Sequence, residues 1–147
     1  MSDQLDSAKK HGTRLTGNVR IALVPIDTSS LETVRATMGS VFALPVSRAE
    51  PRAFLDWAQK SGAEIVATHL AGSVDYRTID YTKKPVVLLM GNEQQGLPPE
   101  LAEGAGRLAR IPQQGRADSL NLAVATGVML YEARRHLLSL DAPEAGQ

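Results

Sequence analysis

The chain has no cysteine, which removes disulfides, thiolate metal sites and cysteine nucleophiles together. Aromatic residues make up 4% of it, and its three histidines, His11, His69 and His136, lie far apart, so no metal site is expected. Nor does one sign of charge prevail. Sixteen basic and sixteen acidic residues cancel, which leaves any nucleic-acid partner to be held by local patches and not by a global field. No window reaches the roughly 18 to 20 apolar residues of a membrane-spanning helix, and the opening MSDQLDSAKKHGTR has no apolar signal core. A cytoplasmic protein without membrane contact is the expectation.

What is present is ordinary for a globular protein: 147 residues, 43% hydrophobic and 22% charged, sized for one domain. Residues 1–17 are polar and aperiodic and read as a flexible basic arm, residues 141–147 as a flexible tail, and residues 18–140 as the patterned domain. Short apolar runs at Val19 to Pro25, Ala63 to Thr68 and Val86 to Met90, with a weaker one at Arg107 to Ile111, read as strands of a parallel sheet buried on both faces. Between them, amphipathic stretches open at Asp27-Thr28-Ser29-Ser30 and at Glu50-Pro51, the second with Phe54, Leu55 and Ala58 on one face. The longest helix is expected from Ser119 to about Leu138, with a stripe of Leu120, Val124, Val128 and Tyr131 that can extend to Arg135. Strands alternating with helices predict an open α/β domain, its sheet mostly parallel with helices on both faces.

In such sheets ligands sit at the carboxyl ends of the strands, where loops expose main-chain groups and helix N-termini. Three loops stand there: Thr68-His69-Leu70-Ala71-Gly72, Gly91-Asn92-Glu93-Gln94-Gln95-Gly96, and Ile111 through Asn121. The second allows close backbone approach to a ligand, but it lacks the glycine pattern of a dinucleotide fold and the Gly-Lys-Ser/Thr of a triphosphate loop. Its plain alternative is a strand-to-helix turn. In the third loop, Asp118 or Ser119 reads as an N-cap. Asn121 then falls inside the first helical turn, a costly place for an amide at an apolar helix start. Basic groups gather at Lys9, Lys10, His11, Arg14 and Arg20, at Arg107, Arg110 and Arg116, and at Arg134, Arg135 and His136. Each is either a phosphate contact or a solvated face.

The loop Gly91-Asn92-Glu93-Gln94-Gln95-Gly96 followed by Ile111-Pro112 and Ser119-Leu120-Asn121 resembles the SpoU/TrmH family of RNA 2′-O-methyltransferases, in the SPOUT superfamily. Upstream, Val34 through Val46, with Arg35-Ala36-Thr37-Met38-Gly39 and Phe42-Ala43-Leu44-Pro45, is similar to a third family segment, so the likeness runs from about Ile21 to His136. The resemblance implies a C-terminal trefoil knot and S-adenosyl-L-methionine as cofactor. It implies an rRNA or tRNA substrate and a homodimer joined through the last helix, with no metal. It assigns Gly91, Ile111 and Leu120 to the cofactor pocket with Thr68, His69 and Leu70 close by, and turns Glu93, Ser119 and Asn121 toward the substrate ribose.

Family members also open with a strand and helix bearing an Asn…Arg motif, and Asn18-Val19-Arg20 has neither its spacing nor its following helix. Either the sequence is a fragment or a shortened paralogue, or another arginine substitutes, with Arg116 and Arg14 or Arg20 as the candidates ahead of Arg35. The rival reading is a non-catalytic paralogue that binds S-adenosylmethionine or RNA as a dimeric module. A flavodoxin-like nucleotide binder is a weaker rival, because aromatics are few and the phosphate fingerprint is missing. Asn121→Ala is expected to abolish methyl transfer while leaving the melting temperature nearly unchanged.

Overall fold

The computed structural model describes residues 19–23 (backbone only), 49–72, 74–91, 96–114 and 120–138. The expected arm and tail, the helix opened by Asp27, and the segment Val34 through Val46 lie outside the described residues.

Among the described residues, five strands form one sheet: β1 (Val19–Leu23), β2 (Glu64–Thr68), β3 (Val74–Asp75), β4 (Val86–Met90) and β5 (Arg107–Arg110). Their order is β1-β4-β2-β5-β3, and every neighbouring pair is parallel. The apolar run predicted at Val86 to Met90 is β4, buried along its whole length. A strand pairs on both sides there, so its side chains need apolar cover above and below the sheet.

That cover comes from two layers. Ile65 and Ala67 of β2 and Leu89 of β4 turn to one face, where they pack with Ala58 of α1 (Pro51–Lys60) and Leu101 of α2 (Pro99–Gly104). Val66, Val86, Leu88, Met90 and Ala109 turn to the other, against Met129 and Ala133 of α3 (Leu122–Arg134). The split follows from the strand period of two. Burying a side chain of Leu or Met size contributes about 1.5–3 kcal/mol relative to leaving it in water. The α/β class, the parallel sheet and helices on both faces are therefore as expected.

Local chemistry sets the helix ends. Pro51 begins α1, where its missing N–H would have no partner anyway, and Glu50 stands before it in extended backbone. Helix α3 departs from expectation: it starts at Leu122, three residues after Ser119, and is continued by a 3-10 turn over Arg135–Leu137. Asn121 precedes the helix as its N-cap, and neither Asp118 nor Ser119 fills that position. The stripe read from the sequence is divided: Val124 and Tyr131 are 53% and 71% exposed, while Leu120 and Val128 are half-buried. Strand β3 went unpredicted; it is followed by a 3-10 turn over Tyr76–Thr78 and by Tyr81, whose buried phenol donates to the Tyr76 carbonyl at 2.7 Å. Burial is the main reason that the Tyr81 phenol is pushed above its ordinary value. Among the described residues, no helix is long and apolar enough to cross a membrane.

Candidate functional site

The carboxyl ends of β4, β2 and β5 lie side by side, so the loops that follow them meet at one edge of the sheet. Thr68, His69, Gly91 and Ile111, all half-buried, stand there. The Thr68 hydroxyl reaches across to the Met90 sulfur at 3.7 Å. The His69 main-chain N–H donates to the Ala109 carbonyl at 3.0 Å, and the Gly72 N–H donates back to the His69 carbonyl at 2.9 Å, which pins the β2 loop to β5.

Side-chain geometry adds to this. The Ala71 N–H donates to His69 Nδ1 at 3.1 Å. In that bond Nδ1 is the acceptor, which turns the ring back onto its own loop. Leu70, next in the loop, is 59% exposed.

Two glycines permit the edge to close. A Cβ on Gly91 would stand 2.8 Å from the Gly96 carbonyl carbon and 3.0 Å from the Leu97 nitrogen, all backbone. The chain thus returns against Gly91 at Gly96 and Leu97. A Cβ on Gly72 would meet the His69 oxygen at 2.8 Å and the Ala109 carbonyl at 2.9 Å. The loop is legible in the sequence but its closure by Gly72 is not, because a lone glycine after a strand carries no mark of what approaches it.

Leu122, the first residue of α3, and Ile111 pack on the core cluster that holds Met90; before the helix, Leu120 is half-buried and Asn121 exposed. Asn121 Oδ1 accepts from the N–H groups of Ala123 at 3.0 Å and Val124 at 3.3 Å, satisfying two donors that a helix start leaves orphaned. Of the residues expected to act, the structure therefore places Thr68, His69, Leu70, Gly91 and Ile111 at this edge, and Leu120 and Asn121 directly before α3. Glu93, Arg116 and Ser119 lie outside the described residues.

A parallel sheet whose adjacent strands end at one edge has the architecture in which α/β domains bind ligands. Comparison with known proteins narrows the class. Residues 14–131 match the model of the SpoU rRNA Methylase family, and the chain belongs to that family. A tRNA (guanosine(18)-2′-O)-methyltransferase of Aquifex aeolicus (strain VF5) is 55% identical over 75 residues, 50% of this chain and 35% of that protein. A 23S rRNA (uridine(2479)-2′-O)-methyltransferase of Streptomyces viridochromogenes is 33% identical over 140 residues, 91% of this chain and 46% of that protein. The crystal structure of an AdoMet-bound rRNA methyltransferase from Sinorhizobium meliloti aligns with a TM-score of 0.77 at 64% identity, over 92% of this chain and 50% of that one. The chain thus spans half or less of the length of each of these relatives.

Proposed function

We propose that the chain is the S-adenosylmethionine-binding part of an RNA methyltransferase that modifies a ribose 2′-hydroxyl of rRNA or tRNA. One observation carries the reading. The loops of three adjacent strands meet at the carboxyl edge, in a chain 64% identical to an AdoMet-bound rRNA methyltransferase over 92% of its length.

The residues fit the cofactor. Main-chain groups at Gly91 and Ile111 and the Thr68 hydroxyl offer donors and acceptors, while half-buried Ile111 and Leu120 offer apolar cover to a flat ring. Bound there, S-adenosylmethionine supplies an electrophilic methyl group. The ribose hydroxyl is a poor nucleophile, so the protein's share of the work is to align it with that methyl and ease removal of its proton. Asn121, with Oδ1 committed to the helix, is oriented to hold the ribose through its amide N–H; Glu93, Ser119 and Arg116 are assigned to the same task. The test pairs calorimetry with S-adenosylmethionine and transfer of tritiated methyl groups to total RNA. Binding together with label in ribose is expected, and binding without transfer would favour the non-catalytic module.

The same reading carries the knotted path of residues after Pro85 and a homodimer. A crystal structure that traces the chain past Ser119 outside the loop that follows Gly91 would rule out the knot. The outward face of Val124, Tyr131 and Leu138 suits a second copy of this chain, since exposed apolar groups at the end of one helix gain by mutual cover. Tyr131→Lys is expected to convert the wild-type dimer to monomer in sedimentation equilibrium; an unchanged dimer would place the interface elsewhere.

A further inference from the structure

We infer that Arg77 and Arg110, neighbours on the β3–β5 edge of the sheet, bind a phosphodiester of the RNA strand that approaches the methyl-transfer site. The inference rests on the RNA methyltransferase reading. It starts from register: Asp75 of β3 lies opposite Arg110 of β5. In-register neighbours of parallel strands are about 4.8 Å apart and project to the same face. Asp75 would be the natural partner of Arg110, but it is taken. Its Oδ1 accepts from the Arg77 main-chain N–H and from Nε, both at 3.0 Å, and its Oδ2 accepts from Arg77 Nη2 at 2.6 Å. These bonds hold the Asp75 carboxyl down at about 2, so it stays charged and committed to Arg77 throughout the working pH range.

Two consequences follow. Arg77 is a fixed cation: its guanidinium is gripped on one side by Asp75 and lies 5.9 Å from the centre of the Tyr76 ring, yet its side chain remains 60% exposed. Its remaining N–H donors are held in place before any ligand arrives, which lowers the ordering cost of binding. Arg110, for its part, is exposed and has no ion-pair partner among the described residues. Glu132, the other acid within electrostatic reach of Arg77, is itself paired with Arg135 at 3.3 Å.

Placement selects the ligand. Arg110 stands between Ala109, whose carbonyl anchors the His69 loop, and Ile111 of the candidate pocket. Two exposed guanidinium groups on an open edge suit a chain of phosphates running past, each able to take two oxygens at once. A small anion would be better served by an enclosed site. The cavity of about 490 Å³ lined by Leu55, Ile65, Lys84 and Gly104 is at the opposite end, where β2 begins. Since the chain has no net charge, such a local pair has to supply the attraction that a global field does not.

The test is fluorescence anisotropy of the full chain with a labelled oligouridylate over a range of sodium chloride. Arg110→Gln and Arg77→Gln are each expected to weaken binding severalfold at low salt. Each should also flatten the slope of log affinity against log salt by about 0.7, the value of one lost phosphate contact on a single strand. Arg110→Lys should restore the slope, because the slope counts charges. Calorimetric affinity for S-adenosylmethionine should not move. Unchanged affinity and slope in both glutamine variants would overturn the inference while leaving the methyltransferase reading intact, and so would an equal loss of cofactor affinity, which would mean a disturbed fold. If wild type transfers no methyl group yet the slopes flatten, the methyltransferase reading fails and the phosphate contact stands.

Discussion

Gly91→Ala is expected to remove S-adenosylmethionine binding from the range of calorimetry and to lower the melting temperature. The added methyl would meet Gly96 and Leu97 at 2.8–3.0 Å, and all three atoms belong to the backbone. A side chain in its place would turn away; a main chain has to move as a whole. Forcing atoms into a packed site costs typically about 1–3 kcal/mol. The displacement falls on the return of the loop that follows β4, the segment assigned to the cofactor. Gly96→Ala makes a useful contrast. Nothing stands within 4 Å of a Cβ there, but its φ of +66° lies where side chains are strained, so it should destabilise without pressing on Gly91. Full cofactor affinity in Gly91→Ala, measured on folded protein, would remove this loop from the pocket.

Asn121→Ala is expected to abolish methyl transfer and, against the sequence-based expectation, to destabilise the fold by about 1 kcal/mol. The structure supplies the reason, because Asn121 Oδ1 caps α3 through Ala123 and Val124. Loss of activity in the alanine variant alone would therefore be ambiguous. Asn121→Asp separates the two roles. A carboxylate caps as well as an amide and suits the positive end of a helix, but it has no N–H to donate. The aspartate variant should melt like wild type in calorimetric scans and transfer no tritium to RNA. Normal transfer by that variant would reduce Asn121 to a cap.

These two residues also mark how far the sequence could be read. Strand β4 was legible because a strand buried on both faces must be apolar throughout, and Val86 to Met90 leaves no other reading. Helix α1 was legible from Pro51 and from one apolar face. Strand β3 was not, since Val74 and Asp75 carry no period, and their extended backbone exists only because β5 lies beside them. Helix α3 misled for a different reason. Leu122, Ala125 and Met129 pack inward while Val124 and Tyr131 look outward, so apolar residues surround the helix and periodicity cannot choose a face. At the site, Thr68, Gly91 and Ile111 followed from the rule that ligands gather where parallel strands end. The commitment of Asp75 to Arg77, and the cation this leaves beside it, did not, because no spacing rule foretells which of two arginines a carboxylate will take.

The strand order has a consequence for how the sheet can come into being. Each of its four ladders joins a strand that precedes Lys83 to one that follows it: β1 to β4, β4 to β2, β2 to β5 and β5 to β3. Among the described residues, neither half contains a single pair of its own. A chain emerging from the ribosome therefore holds β1, β2 and β3 without a described partner until β4 appears, and β4 then closes two ladders at once. Such long-range pairing is slow, because loop entropy has to be lost before any ladder bond is gained. The carboxyl edge, made by the ends of β4, β2 and β5, is thus a late product of folding, and no nascent fragment that stops short of Arg107 can present it.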